Sequence, residues 1–369
     1  MKNETINDFK HFKVGTVFNR INPDREPRII AESVQIKYPS RLNAMAIDPS
    51  KITENNNMVY TPGEIVFSIG IFITVKVKLL NENIIEVNNE CANKNTVIKH
   101  ICLIMKDMLN YSGGFQITLM DYHPYRHCGF GSTGCLQAAV ASCINHLLGQ
   151  PFNNETLIKL LARNYGEEID GDDEYLNPVQ CIGGSASSGL INSGVIVVAG
   201  ENTVIAKGNI SDEYRVLVGI PENIKISDSV SQFNDEKENL HKFYETGLKY
   251  KDIIAYQVLH KFLPAIYNGD LSTMGDVIFD YRYNMGSIQN CSYTYKELPK
   301  LMSDLAFLKK DNIVDVLSIS SVGPAVFIIA NSEKMDYCRQ IFKENDLTII
   351  ETYVYNHLYH VEEIENEKY

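Results

Sequence analysis

The stretch HCGFGSTGCLQAAV, residues 127–140, places three glycines, a serine and a threonine directly before a run that turns apolar at helical spacing. Leu136, Ala139, Val140, Cys143, Ile144, Leu147 and Leu148 share one face of that run, and Gly149 fits its stop. The chain is thereby committed to a helix that opens from a loop. Gly129, Gly131 and Gly134 let the backbone approach a ligand closely, Ser132 or Thr133 can cap the helix, and the free N–H groups face an anion. A helix end carries about half a positive charge and each such interaction is worth roughly 0.3 to 1 kcal/mol, so a diphosphate held there needs a further cation or magnesium. The competing reading is a plain capped helix. No lysine follows the last glycine as a P-loop requires, and the spacing does not match a dinucleotide fingerprint.

Around this loop the chain alternates strands and helices. Residues 29–38 and 64–80 are alternating or β-branched and predict strands; 95–110 carries Val97, Ile98, Ile101, Cys102, Ile104, Met105 and Met108 at helical spacing. A strand at 115–122, a helix at 154–164, a glycine-serine loop at 181–189 (CIGGSASSG) and strands at 194–198 and 214–220 follow. The charge-dense residues 222–250 read as an exposed connection. Beyond them come helices at 251–267, with Pro264 kinking or ending it, 270–284, 296–309 and 333–344, interleaved with strands at 314–319, 325–330 and 346–355.

A length of 369 residues predicts two domains, divided as 1–210 and 211–369. With 34 Lys and Arg against 46 Asp and Glu, a formal charge of -12 and no basic block, nucleic acid is excluded as a natural partner. An anionic metabolite is not, because screening leaves the local site in control. The eight cysteines form no CxxC pair and sit in apolar runs, as reduced core residues do, and no apolar stretch has signal-peptide or membrane-spanning length. A soluble cytoplasmic protein that avoids membranes is the expectation. His123 and His127 are separated by Pro124, which argues against a helical zinc pair.

Two further segments carry chemistry. In PSRLNAMAID, 39–48, Arg41 lies between strands, where it can meet a phosphate or pair with a surface acid; in SISSVGPAVFIIA, 318–330, Ser320, Ser321 and Gly323 sit between two apolar runs as a ligand loop or a tight turn. Taken in order with the glycine loop, these segments resemble the three signature regions of the GHMP kinases, small-molecule kinases of galactose, homoserine, mevalonate and phosphomevalonate. The resemblance implies an α+β fold: an N-terminal α/β domain, a ferredoxin-like C-terminal domain, and a ligand cleft between them. SRLNAMAID, RHCGFGSTG, GGSASSG with SGVIVVAG, VLHKFLPAIYNGDL and SSVGPAVF are closer to the β-ribofuranosylaminobenzene 5′-phosphate synthase branch.

That branch implies a magnesium-dependent transferase joining phosphoribosyl diphosphate to an aromatic or heteroaromatic carboxylic acid at a ring carbon, with release of diphosphate and carbon dioxide. Carried over to this chain, Gly129, Gly131, Ser132, Thr133 and Gly134 hold phosphate with Arg41, Asn43, Arg126, Ser185, Ser187, Ser320, Ser321 and Gly323. Ser132 and Asp173 serve the magnesium; His127 and Asp48 take the catalytic roles. Asn43 replaces a histidine common in the synthases, and the loop at 181–189 lacks their arginines, leaving Arg126 or Lys207 to compensate. Val322 and Pro324 stiffen the last loop, which argues against ATP. The rivals are an ATP-dependent kinase of the same fold, with Asp172 or Asp173 as base, and a non-catalytic sensor. A homodimer is the commonest closed assembly for such a chain.

Overall fold

The computed structural model describes residues 10–53, 62–88, 94–122, 125, 127–179, 181–224 and 229–366. Its first half runs β1 (Phe12–Lys13), β2 (Ser33–Ala46), β3 (Glu64–Leu80), β4 (Ile85–Asn88), α1 (Asn95–Leu109), β5 (Gly114–Asp121), α2 (Ser132–Leu147), α3 (Asn154–Arg163), β6 (Glu167–Ile169), β7 (Asp172–Asn177), α4 (Gly184–Leu190), β8 (Val195–Ala199) and β9 (Thr203–Gly208). The second half follows as β10 (Tyr214–Pro221), α5 (Ser229–Gln257), α6 (Leu263–Asn268), α7 (Leu271–Phe279), α8 (Ser287–Asn290), α9 (Leu298–Lys310), β11 (Val316–Ile319), β12 (Val326–Asn331), α10 (Met335–Glu344), β13 (Leu347–Thr352) and β14 (His360–Glu365).

The long β2 and β3 pair antiparallel as the spine of a seven-stranded sheet in the order β14-β2-β3-β5-β4, with β8 beside the first part of β3 and β9 beyond it. β3 carries a nearly continuous apolar run because both its faces are covered, whereas β2 mixes apolar with polar residues. Val34, Ile36, Val66, Val75 and Val77 face α1, α2 and α4, while Leu42, Ala44, Ile65, Phe67 and Ile69 face a second sheet. That sheet has the order β11-β12-β10-β13, antiparallel throughout. Helices follow its first and third strands in sequence, the ferredoxin-like arrangement expected. Phe67 and Phe327 meet edge-on between the two sheets, with centroids 6.3 Å apart. β1, β7 and β6 form a small third sheet.

Several elements differ from expectation. Residues 229–250, inside the supposed connection, form most of the 29-residue helix α5, whose end overlaps the helix expected from 251. Its charges are the solvated face of an amphipathic helix whose other face buries Leu240, Phe243 and Ile254. The loop CIGGSASSG is largely α4, all of it buried, because its small residues fit where larger ones cannot: a Cβ on Gly189 would lie 2.4 Å from the Tyr38 ring. Ahead of Pro264 the helix widens into a π-helical turn, Val258–Phe262, which accommodates the missing N–H. The last strand, β14, adds to the edge of the first sheet, although residues 211–369 were expected to form the other unit. No described helix is long and apolar enough to cross a membrane.

Candidate functional site

The three segments singled out in the sequence meet at one carbonyl. Arg41, on β2, donates from Nη1 to Gly129 O at 2.8 Å, and Ser320, at the end of β11, donates from Oγ to the same oxygen at 2.6 Å. The Asn43 N–H donates to Ser320 Oγ at 3.0 Å, and the Ser321 N–H to Asn43 O at 2.8 Å. The glycine loop is thus clamped from both sheets. Within it His127, Gly129 and Gly131 have left-handed φ of 53°, 88° and 67°, the kind of backbone that turns N–H groups toward an anion.

Gly131 is the N-cap of α2, and no side chain caps this helix. Neither Ser132 nor Thr133 performs the capping role expected of it. The Thr133 hydroxyl instead accepts from Lys94 Nζ at 2.9 Å and donates to Glu168 Oε2 at 3.0 Å. Lys94 and Glu168 form an ion pair beneath the first turn, each with a side chain 1% exposed. This pair was invisible to sequence reasoning, because neither residue lies in a motif and they are 74 positions apart.

A two-lobed cleft opens at this junction. The polar lobe, about 190 Å³, is lined by Arg41, Asn43, Glu64, His127, Gly129, Gly131, Ser132, Thr133, Glu167, Ser185, Ser321 and Gly323, among others. The neighbouring lobe, about 140 Å³, is more apolar, with Pro62, Pro178, Leu240, Phe243, Tyr281 and Arg282. Asn43, Phe233, Glu236, Ser321 and Val322 line both.

Other expected residues lie elsewhere. Asp48 lines neither lobe; its Oδ1 accepts from Ser50 N and Oγ, a turn contact. Asp173 is exposed on β7 and lines neither lobe, whereas Ser132 lines the polar one, and Asp172 accepts the N–H groups of Glu174 and Tyr175. Ser187 is buried and donates to Gly184 O within α4, and Gly134 packs behind the loop against Ser185. Ser320 clamps the loop without lining the cleft. Lys207 is exposed on β9, and Arg126 and His123 lie outside the described residues.

Charge in the cleft is unusual for an acidic chain. Arg41 Nε is buried and has no acceptor among the described residues, and it lies where a Cβ on Gly131 would come within 2.9 Å. Arg282 is 3% exposed and donates to Ala44 O at 2.6 Å, Ser287 Oγ at 3.1 Å and Asn43 O at 3.2 Å. Among the described residues no carboxylate forms an ion pair with it. The acids shift the other way. Burial raises Glu64 against the pull of Arg41, and burial with Glu168 raises Glu167. Burial and then Glu167 push Glu236 up to about 7. Each shift favours the neutral acid and lessens the repulsion an anionic ligand meets. No described group of three His, Cys, Asp or Glu side chains is placed to hold a metal unaided.

Residues 95–177 match the family model of the GHMP kinases N terminal domain. Homoserine kinase from Cytophaga hutchinsonii is similar over 90% of this chain and 98% of its own, at 14% identity and a TM-score of 0.58. Mevalonate diphosphate decarboxylase from Staphylococcus aureus is similar over the same shares, at 14% identity and a TM-score of 0.64. Mevalonate kinase from Methanococcus jannaschii covers 87% of this chain and 98% of its own, at 14% identity and a TM-score of 0.51. No curated protein matches the sequence. The protein therefore has the GHMP kinase fold, a scaffold that carries kinases and a decarboxylase alike.

Proposed function

We propose that the protein is a C-riboside synthase similar to β-ribofuranosylaminobenzene 5′-phosphate synthase. It transfers the phosphoribosyl group of phosphoribosyl diphosphate to an aromatic or heteroaromatic carboxylic acid. The observation that carries this reading is the buried Arg41 Nε, a charged donor without an acceptor among the described residues, set beside the anion-turned glycine loop. An arginine cannot shed its proton, so a buried N–H of this kind fits an anion. The loop and Arg41 hold the diphosphate. The apolar lobe takes the ring, and Arg282, buried among neutral acceptors, faces its carboxylate.

As the C1–oxygen bond breaks, its electron pair leaves on the diphosphate, and the ring carbon bonds to C1. The carboxyl carbon then departs as carbon dioxide and returns its bonding pair to the ring. Positioning and charge stabilisation do most of the work. Magnesium, when bound, neutralises diphosphate charge. The Ser132 hydroxyl and the Glu167 carboxyl, which the cation's own charge would ionise, would hold it, since this ion takes one or two carboxylates alongside phosphate and water.

The test incubates the protein with magnesium, either phosphoribosyl diphosphate or ATP, and a panel of aromatic acids. Equal yields of diphosphate and carbon dioxide are expected; ADP as the product would establish the kinase instead. Arg282→Met is expected to raise the acceptor KM at least tenfold, about 1.4 kcal/mol, while the donor KM stays within twofold.

A further inference from the structure

Asp48 stands in a motif of the cleft yet lines neither lobe, and its surroundings say what it does. Its Oδ1 accepts the Ser50 N–H at 3.1 Å and the Ser50 hydroxyl at 2.5 Å. Its own N–H donates to Pro62 O at 2.7 Å, and its carbonyl accepts the Lys51 N–H at 3.1 Å. These bonds fix the 3-10 turn Pro49–Thr53. α5 rests directly on that turn: a Cβ on Gly247 would lie 2.0 Å from Ser50 N and 2.6 Å from Ser50 Cα. The contact is backbone against backbone, so no side chain can give way.

Along α5 from this seat, Phe243 and Leu240 lie one and two turns away in the wall of the apolar lobe. Glu236 and Phe233, three and four turns away, face both lobes. The distance from Gly247 to Phe233 is about 21 Å along a helix, so a small tilt at the seat is magnified at the cleft. The glycine loop and Arg41 belong to other elements.

We infer that Asp48 is a positioning residue, which seats α5 through Ser50 and Gly247 and thereby sets affinity for the acceptor. The inference rests on the reading of the apolar lobe as the acceptor site. A catalytic carboxylate needs its charge, whereas a seat needs only an acceptor oxygen. Asp48→Asn keeps that oxygen and Asp48→Ala removes it.

With 4-hydroxybenzoate as probe in calorimetry, Asp48→Ala is expected to weaken binding at least fivefold and to speed amide exchange over residues 230–247. Phosphoribosyl diphosphate affinity stays within twofold, and Asp48→Asn stays near wild type in both readouts. Gly247→Ala, with Asp48 intact, reproduces the alanine phenotype by pushing α5 off the turn. Asparagine as impaired as alanine, or unchanged exchange in Asp48→Ala, overturns the inference. If the wild-type protein binds no aromatic acid, the proposed reaction fails, and amide exchange alone still decides whether Asp48 seats the helix.

Discussion

Gly131 leaves no room for a side chain in the phosphate loop. Its φ of 67° disfavours a side chain, and an added Cβ would lie 2.5 Å from Ser185 Oγ and 2.9 Å from Arg41 Nε. Gly131→Ala therefore displaces the Arg41 guanidinium beside the loop as well as straining the backbone by about 1 kcal/mol. Phosphoribosyl diphosphate binding is expected to fall at least tenfold in calorimetry, with the fold retained; wild-type affinity would show that the loop holds no anion. Lys94 behaves differently, because its value lies in a partner. Removing the ammonium by Lys94→Met strands the Glu168 carboxylate in a 1% exposed site, a change that typically costs about 3 to 5 kcal/mol. Adding Glu168→Leu removes the stranded charge, so the double variant is expected to recover most of the loss in urea unfolding. Two independent, additive losses would mean that the ionised pair is not what holds the turn.

At the scale of elements, what the sequence discloses depends on whether the cause is local. β3, α1, α2 and the first part of β2 were legible because their apolar residues follow a short period or a β-branched run, while the rest of β2, from Pro39, read as a segment between strands. The three contact segments were legible as motifs, yet their shared anchor at Gly129 O was not, since hydrogen bonds spanning 88 and 191 positions leave no local trace. The part of α5 before residue 251 was missed because charge density hides an apolar face spaced over several turns, and α4 because serine and glycine read as loop until Tyr38 is packed against them. Glu64, Glu167 and Glu236 lie far apart in sequence, and only the fold makes them neighbours. Glu236 gives α5 a pH dependence that can be measured. Burial, then Glu167, raise its folded pKa to about 7 from the ordinary 4.5. The folded state thus favours the proton. Its contribution to stability is complete below pH 4.5 and is lost as pH rises through 7. Glu236→Gln keeps the neutral form, so its melting temperature is expected to vary less between pH 5 and 8, exceeding wild type by about 2 to 4 °C at pH 8. Parallel wild-type and variant profiles would place the Glu236 carboxyl in water.

For the whole molecule, the overall charge of -12 matters less than where its few buried cations lie, for Arg41 and Arg282 both reach the cleft from elements that also join the two sheets. The residues after β13 are the other tie. Asn356 exchanges hydrogen bonds with Ile210, donating at 2.8 Å and accepting at 3.0 Å, beside the junction of the sheets. Tyr359 N–H donates to Gly189 O at 2.8 Å, its ring stacks on Tyr38, and β14 then covers the edge of β2. Lys76 reaches Glu365 at 2.6 Å and Glu363 at 3.2 Å, but exposed pairs add little. The backbone pairing is what counts, because an uncovered edge is a template for another strand. A chain ending at Thr352 is expected to melt at least about 5 °C lower and to associate with rising concentration in light scattering. Loss of the Gly189 contact loosens α4 beneath Ser185, so phosphoribosyl diphosphate affinity falls as well. If the shortened chain stays monodisperse and melts with the full one, the edge is protected by something other than β14.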